Sequence, residues 1–163
     1  MCGIYGCLNF DNKIVDTKTL TNLSNGMIHR GPDNEGFLID KNFGFGMRRL
    51  SIIDLDGGNQ PIFNETKKLS IVFNGEIYNY KEIKKNLIQK GHVFKTKSDT
   101  EVIIHLFEEK GIDCVNDLNG EFSFAIWDKI KRQLYIARDR FGVKPLYWCL
   151  KNKSFYFSSD LLA

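Results

Sequence analysis

The chain lacks the compositional extremes that mark specialised classes of protein. Its 163 residues carry 23 Lys and Arg against 20 Asp and Glu, so the net charge is only +3, and neither a strongly basic nucleic-acid binder nor an acidic disordered tail is indicated. No stretch approaches the roughly 18 uninterrupted apolar residues of a membrane span. The segment MCGIYGCLNFDNK has neither the basic region nor the long apolar core of a secretory signal. We therefore expect a cytoplasmic protein without nucleic-acid or membrane partners.

Cysteine and histidine are also scarce. The chain has four cysteines without a pairing pattern and three histidines far apart in sequence, none of them at metal-ligand spacing from a cysteine. A disulfide scaffold and a zinc module are both disfavoured, and no metal ligand is predicted. These residues are Cys2, Cys7, Cys114 and Cys149, with His29, His92 and His105.

No repeat, low-complexity tract or linker divides the chain, and residues 1–163 are predicted to form one domain. Apolar alternation and turn residues predict strands over Ile4–Asn9, Glu35–Ile39, Phe43–Ile53, Leu69–Asn74, Val93–Thr96, Glu121–Asp128, Gln133–Arg138, Leu146–Leu150 and Ser154–Ser158. Helices are predicted from Asp16 or Thr17 to about Met27, over Tyr80–Lys90, and from Ser98 to before Gly111. Helices between groups of hairpin-joined strands predict an α+β fold of stacked antiparallel sheets covered by helices.

Cys2 is the most informative residue near the start of the sequence. Removal of Met1 is sterically easy before a small residue, and the mature chain would then begin with a cysteine carrying its own α-amino group. That amine has an ordinary pKa of about 7.7–8.0, so it can act as a general base toward its own thiol. The alternative is that Cys2 is an ordinary residue near a frayed terminus.

Asn74-Gly75-Glu76 follows the predicted apolar strand Leu69–Phe73. A glycine at a strand end permits close approach of a ligand to the backbone. An Asn side-chain amide and a backbone N–H are the donors that stabilise a tetrahedral oxyanion. The alternative for an isolated Asn-Gly pair is a plain turn between strands.

Two charged residues suit a zwitterionic ligand. Arg49 follows a Gly-rich strand and can hold a carboxylate with two hydrogen bonds, although a solvated arginine is the alternative, as its neighbour Arg48 illustrates. Asp99 lies in the first turn of a predicted helix, where a carboxylate is favoured whatever else it does. With Glu76 it can provide the counter-charge for an ammonium group. A free amino acid with an amide side chain meets all these requirements.

The sequence resembles the class II glutamine amidotransferase domains, and among them the asparagine-synthetase type. The resemblance rests on ordered motifs along nearly the whole chain: MCGI, HRGPD, RRLSIIDLDGGNQP, FNGEIYNY, SDTEVI, NGEFSFAIWD and ARDRFGVKPLY. It implies a four-layer αββα N-terminal-nucleophile hydrolase fold with two stacked antiparallel sheets. It also implies hydrolysis of L-glutamine to L-glutamate and ammonia.

The resemblance assigns a role to each matching position. Cys2 corresponds to the nucleophile that forms a thioester, and Asn74 and Gly75 to the oxyanion hole. Arg49 corresponds to the residue that holds the glutamine α-carboxylate, and Glu76 and Asp99 to those that hold the α-ammonium. The pocket wall beside Arg49 corresponds to Leu50, Ser51, Ile52 and Ile53.

One family feature is missing from these 163 residues. Asparagine synthetases continue into a domain that binds ATP and Mg²⁺, marked by a Ser-Gly-Gly-x-Asp-Ser loop that this sequence lacks. No cofactor is expected for the present domain, and ammonia is expected to pass to a synthetase-type domain or subunit. An excised domain and a free-standing subunit both remain open. So does a catalytically silent domain that binds glutamine for regulation or interaction.

Residues outside this set are expected to be structural. Cys7, Cys114 and Cys149 are predicted to be core residues, because cysteine is usually buried. His29 is expected to order its loop. The aromatic residues near the end of the chain are predicted to belong to the core rather than to a partner surface; they are Phe141, Tyr147, Trp148, Phe155 and Phe157.

Overall fold

A computed structural model describes residues 2–50, 59–161 and 163. Within these ranges the helices are α1 (Thr17–Asn25), α2 (Tyr80–Gln89) and α3 (Asp99–Lys110), followed by a 3₁₀ turn at Gly111–Asn116. The strands are β1 (Gly3–Asn9), β2 (Asn34–Asp40), β3 (Phe43–Arg49), β4 (Ile62–Phe63), β5 (Leu69–Ile77), β6 (Gly120–Asp128), β7 (Gln133–Arg138), β8 (Tyr147–Lys151) and β9 (Ser154–Ser158). In this part of the chain no helix is both long and apolar enough to cross a membrane.

The strands form two antiparallel sheets. The five-stranded sheet has the order β2-β3-β1-β9-β8, and the four-stranded sheet has the order β4-β5-β6-β7. Every strand pairing is antiparallel. The predicted α+β class with stacked antiparallel sheets is therefore confirmed.

Three apolar layers hold the sheets and helices together. The middle layer lies between the sheets and includes Ile4 and Met47 from one sheet and Val72 from the other. The outer face of the five-stranded sheet packs against α1 through Leu20. The outer face of the four-stranded sheet packs against α2 and α3. This gives the four-layer order of helix, sheet, sheet and helices.

Both faces of strand β6 are apolar because each packs against a different apolar layer. Phe124 and Ile126 belong to the layer beneath the helices, whereas Ala125 and Trp127 belong to the layer between the sheets. Trp127 stacks on Phe43 of the opposite sheet with ring centroids 4.1 Å apart, and aromatic pairs of this kind add roughly 0.5–1.5 kcal/mol beyond the area they bury. The run Phe122–Trp127 is apolar on both faces, a pattern that predicts a strand buried on both sides, and the structure confirms it.

The strand predicted over Val93–Thr96 is wrong, because this segment forms neither strand nor helix. Its backbone donors bond to side chains instead of to a neighbouring strand. The N–H groups of Lys95 and Thr96 donate to the Glu101 carboxylate at 2.8 and 2.7 Å. The S-x-x-E spacing of Ser98 and Glu101 predicts a capping box at the start of α3, and only half of it forms. The Ser98 hydroxyl accepts from the N–H of Thr100, whereas Glu101 reaches past Ser98 to Lys95 and Thr96.

Two predictions about buried residues near the end of the chain are wrong. Cys149 is exposed, although Cys7 and Cys114 are buried as predicted. Of the aromatic residues expected in the core, Phe157 is buried, but Phe141 is 93% exposed and Trp148 is 62% exposed. Trp148 and Cys149 lie on β8, an edge strand whose five residues are all exposed, and Phe141 lies in a turn outside the strands. Aromatic content alone therefore did not report burial.

Candidate active site

The alternation of side chains along β1, β3 and β5 directs the predicted site residues toward the space between the sheets. Successive side chains of a strand point to opposite faces, so a residue two positions from an inward-facing core residue also faces inward. Cys2 lies two positions before Ile4 and packs against the layer between the sheets. Arg49 lies two positions after Met47, and Asn74 lies two positions after Val72. Both Met47 and Val72 pack in the layer between the sheets.

These residues surround one cavity of about 630 Å³, a size suited to a small organic ligand. Its lining contains every described member of the predicted set: Cys2, Arg49, Leu50, Asn74, Gly75, Glu76 and Asp99. Ser51, Ile52 and Ile53, predicted to form one wall, lie outside the described residues. The cavity lining also includes residues that were not predicted, among them Gln60, Tyr80, Thr100, Glu121 and Lys144.

Asn74 has a buried donor that the protein leaves unsatisfied. The residue is 3% exposed, and its Nδ2 atom has no hydrogen-bond partner among residues 2–50, 59–161 and 163. An unsatisfied buried donor costs roughly 1–3 kcal/mol. A ligand oxygen in the cavity would supply the missing acceptor.

Gly75 is required by the close approach of strand β6. A Cβ atom on this residue would lie 2.1 Å from the carbonyl oxygen of Glu121 and 2.7 Å from the Cα of Phe122, at a φ of +154°. The Asn74-Gly75 pair is not a turn, because both residues lie within β5 and pair with Ser123 and Phe122 of β6. The turn alternative is therefore excluded.

Cys2 lies at the mouth of the space between the sheets and is half-buried. Its thiol lies 3.8 Å from the carbonyl oxygen of Leu50, and its own carbonyl oxygen accepts a hydrogen bond from Arg30 at 3.4 Å. His29 contacts the Asp160 carboxylate at 3.0 Å, so this histidine ties its loop to the end of the chain. The Cys2 thiol thus contacts the Leu50 carbonyl, and the main chain of Cys2 is held by the Arg30 side chain.

Arg49 is anchored at the end of β3. The residue is 7% exposed, and one of its guanidinium nitrogens donates to the side-chain oxygen of Asn59 at 3.3 Å. The same oxygen accepts from Asn34 at 2.8 Å. A buried guanidinium on a cavity wall is suited to a carboxylate ligand, because its planar donors match both carboxylate oxygens.

Asp99 joins the end of β5 to the start of α3. Its carboxylate accepts from the N–H of Ile77 at 2.9 Å. Burial raises the pKa of Asp99 above its ordinary value, backbone donors oppose this, and the charge of Glu76 adds to it. A cation bound near both carboxylates would relieve that repulsion.

Gln60 and Asp139 are the positioning residues that sequence reasoning missed. Gln60 accepts from the N–H of Phe73 at 2.6 Å and donates to Thr100 at 3.3 Å, so it links β5 to α3 immediately behind Asn74. Asp139 accepts from four backbone N–H groups, one in β6 and three in the loop after β7. That loop delivers Lys144 to Glu121 at 3.0 Å on the cavity wall. The partners of Gln60 lie 13 and 40 residues away, and the bond from Asp139 to β6 spans 17 residues, so no local pattern reports these links between elements.

Comparison with known proteins gives consistent results. A family model described as "Glutamine amidotransferase domain" matches residues 1–163. The chain is 46% identical to "Asparagine synthetase [glutamine-hydrolyzing] 2" of Bacillus subtilis, over 99% of this chain and 22% of that protein. It is 45% identical to "Asparagine synthetase [glutamine-hydrolyzing] 1" of the same organism, over 98% of this chain and 26% of that protein. The chain thus spans about a quarter of the length of these relatives.

Solved structures show the same fold at low sequence identity. The B. subtilis glutamine phosphoribosylpyrophosphate amidotransferase complexed with ADP and GMP matches with a TM-score of 0.80 at 19% identity, over 97% of this chain and 42% of that chain. A structure titled as the allosteric regulatory enzyme of purine biosynthesis matches with a TM-score of 0.82 at 20% identity, over the same shares. The predicted four-layer N-terminal-nucleophile fold is confirmed.

Proposed function

The chain belongs to the glutamine amidotransferase domain family, and we propose that it hydrolyses L-glutamine to L-glutamate and ammonia through a thioester on Cys2. The observation that carries this proposal is the buried, unsatisfied amide of Asn74 on the wall of the cavity that Cys2 also lines. A nucleophile and an unused oxyanion donor beside one small-molecule cavity fit attack on a carbonyl carbon.

The first half of the reaction forms a covalent intermediate. After removal of Met1, the neutral α-amino group of Cys2 takes the thiol proton, and the sulfur attacks the side-chain amide carbon of glutamine. The tetrahedral intermediate collapses when the C–N bond breaks, and the protonated amine passes its proton to the leaving nitrogen, which departs as ammonia. A γ-glutamyl thioester remains on Cys2.

The second half restores the enzyme. The α-amine removes a proton from water, which attacks the thioester carbonyl and expels the Cys2 sulfur as glutamate forms. In both halves the oxyanion accepts hydrogen bonds from Asn74 Nδ2 and the N–H of Gly75. These donors lie in a largely buried site, where they stabilise developing charge better than water does.

Selectivity for a free amino acid comes from charges at the other end of the substrate. Arg49 binds the α-carboxylate, and Leu50 lines the cavity beside it. Glu76 and Asp99 bind the α-ammonium, because their mutual repulsion in the free enzyme favours a cation between them. A bulkier amide without these terminal charges would lack the groups that Arg49 and Asp99 are proposed to bind.

The released ammonia is proposed to serve an ATP-dependent synthetase-type unit. The support is that the relatives are named as glutamine-hydrolysing asparagine synthetases and that this chain matches only about a quarter of their length. ATP and Mg²⁺ belong to that unit, and no cofactor is assigned to the present domain.

The decisive experiment is glutamate release from L-glutamine by the purified chain beside its Cys2→Ala variant. Intact-mass measurement first establishes that Met1 has been removed, since retained Met1 blocks the base. We expect turnover by the parent chain, none by Cys2→Ala, and a kcat/KM that rises with pH as the α-amine becomes neutral. Equal turnover by both proteins would refute the mechanism. Glutamine binding without turnover by the processed parent would favour a silent glutamine-binding domain.

A further inference from the structure

A cluster of two histidines and two glutamates lies outside the cavity. Glu65 comes from the turn between β4 and β5, His92 from the segment between α2 and α3, and His105 and Glu108 from α3. One ligand atom of each residue lies within 4.8 Å of those of the other three. The cluster takes no part in the proposed glutamine chemistry, and we propose that it binds one divalent cation of the zinc type.

The spacing of the ligand atoms fits a tetrahedral centre. The Nδ1 atom of His105 lies 3.0 Å from a Glu108 oxygen and 3.4 Å from a Glu65 oxygen. The Nδ1 atom of His92 lies 3.7 Å from Glu108 and 3.8 Å from Glu65. Ligands about 2.0–2.1 Å from zinc in a tetrahedron are about 3.3–3.4 Å apart. His92 and His105 face different oxygens of Glu65, so three of these distances are edges of one tetrahedron, and with either oxygen they lie on both sides of the required length.

The outer contacts of the same residues would orient them toward a cation. Histidines that bind metals usually donate their second ring nitrogen to a carboxylate. Here the Nε2 atom of His92 lies 3.2 Å from Glu109. The Nε2 atom of His105 lies 3.7 Å from Glu101 and has no hydrogen-bond partner among the described residues, so it is only an electrostatic neighbour of that carboxylate. Both rings thus turn Nδ1 inward and face a carboxylate with Nε2.

The two glutamates are held in a similar way. Asn64 donates to one Glu108 oxygen at 2.7 Å and leaves the other toward His105. The N–H of Val93 donates to Glu65 at 3.0 Å. Each carboxylate is therefore fixed by a contact that belongs to none of the four proposed ligands.

The burial of the cluster is graded from the core to the surface. The side chain of His105 is 1% exposed and that of His92 is 13% exposed, whereas Glu108 and Glu65 are 22% and 31% exposed. A cation can thus enter from the side of the glutamates and reach both imidazoles. Four protein ligands make a closed centre, which is typical of a structural rather than a catalytic metal.

The competing occupant is a pair of protons on the two imidazoles, which brings the same charge as one divalent cation. A cation uses the Nδ1 lone pairs of both histidines, whereas two imidazolium rings with centroids 5.0 Å apart repel each other. The cation would tie α3 to the β4–β5 turn and the α2–α3 segment. Since α3 begins at Asp99, six residues or roughly 9 Å from His105 along the helix, the site would also brace one wall of the cavity.

The test is zinc binding by metal-stripped protein in which Cys2→Ala and Cys149→Ser remove the half-buried and exposed thiols. We expect one equivalent of zinc, measured by competition with a chromophoric chelator, and a melting temperature that rises with zinc concentration. Cobalt should bind with the strong visible absorption of tetrahedral geometry and without a thiolate charge-transfer band. Absence of stoichiometric binding, or octahedral cobalt, would overturn the proposal.

Substitutions locate the site. In the same background, His92→Gln and Glu65→Gln should each weaken zinc binding by about a hundredfold or more and remove the zinc-dependent rise in melting temperature. Glu109→Gln, which changes only an outer contact, should weaken it by about 10–100-fold. The matched control is His29→Gln, an exposed histidine that also contacts a carboxylate, and it should bind zinc like its parent. Unchanged binding in both His92→Gln and Glu65→Gln would contradict the assignment, and circular dichroism verifies that each variant is folded. The result does not depend on glutamine turnover.

Discussion

Replacing Asn74 by alanine separates catalysis from stability. The substitution removes one oxyanion donor, so kcat for glutamate release should fall by about 10²–10³, equivalent to about 2.7–4 kcal/mol. The same change removes a buried donor that has no partner in the described part of the chain, which relieves roughly 1–3 kcal/mol. This relief offsets the packing lost with the side chain, and the free energy of unfolding should change by less than about 1 kcal/mol.

Asn64 offers a matched control for this prediction. It is buried to the same degree as Asn74, at 2% against 3% exposed, but its side chain is fully used. It accepts from the N–H groups of Lys68 and Leu69 and donates to Glu108. Asn64→Ala should therefore destabilise the protein by about 2–4 kcal/mol, because each lost bond contributes about 1 kcal/mol and buried donors are left unpaired.

Urea denaturation and initial-rate kinetics on the two variants measure both quantities. Stability is compared in the presence of a chelator, because Asn64 contacts Glu108 of the proposed metal cluster. Asn64→Ala should retain kcat within a small factor under conditions where it is folded. The reasoning about the oxyanion hole fails if Asn74→Ala keeps kcat within about tenfold of the parent, or if it destabilises the protein as much as Asn64→Ala does.

Three further predictions concern the substrate-binding residues and Gly75. Arg49→Lys should raise KM for glutamine about tenfold or more with kcat nearly unchanged, because a point charge cannot replace two parallel hydrogen bonds. The control Arg48→Lys, on the opposite face of β3, should leave KM unaltered. A loss confined to kcat in Arg49→Lys would contradict the proposed binding of the α-carboxylate. Burial raises the pKa of Asp99, so its negative charge is lost at a higher pH than that of an ordinary aspartate, and KM for glutamine should rise as pH falls through that raised pKa. Asp99→Asn should have a high KM that does not rise further in this acid range. The same acid-side rise of KM in Asp99→Asn would assign the pH dependence to another group. Gly75→Ala should lower the free energy of unfolding by about 3 kcal/mol or more in denaturation, since its Cβ would meet a carbonyl oxygen at 2.1 Å. Gly91→Ala, at a φ of +98° in open space, should cost only about 1–2 kcal/mol. Equal costs would show that crowding against β6 does not determine the loss of stability.

The parts of the fold that local patterns determine were predictable from the sequence. Strand β6 was recognised because apolar residues on both of its faces require burial on both sides. The start of α3 was recognised from Ser98, whose hydroxyl caps the helix. Val93–Thr96 has strand-like residues, but the Glu101 carboxylate satisfies its backbone, and this contact depends on the tertiary position of α3.

The site was predictable only in part for the same reason. Residue types and the family resemblance singled out Cys2, Asn74 and Asp99, and the structure places all three on one cavity. The contacts of Gln60 with β5 and α3 and the contact of Asp139 with β6 join residues distant in sequence, which no spacing rule reports. His92 and His105 were judged too far apart for a metal site, yet the turn between two helices brings their rings to a centroid distance of 5.0 Å.

The alternation that aims Cys2, Arg49 and Asn74 into one cavity also restricts how the gene can change in length. Each residue lies two positions from a side chain packed between the sheets, so a single inserted or deleted codon between Val72 and Asn74 would turn the amide toward the helix layer. A change of one residue between Cys2 and Ile4 would likewise turn the thiol away from the cavity, and one between Met47 and Arg49 would turn the guanidinium away. Insertions of one residue should be tolerated in the exposed turn Lys129–Arg132 and rejected in these short stretches. A scan of single-codon insertions would therefore trace the active site as three narrow intolerant windows, each only a few residues wide.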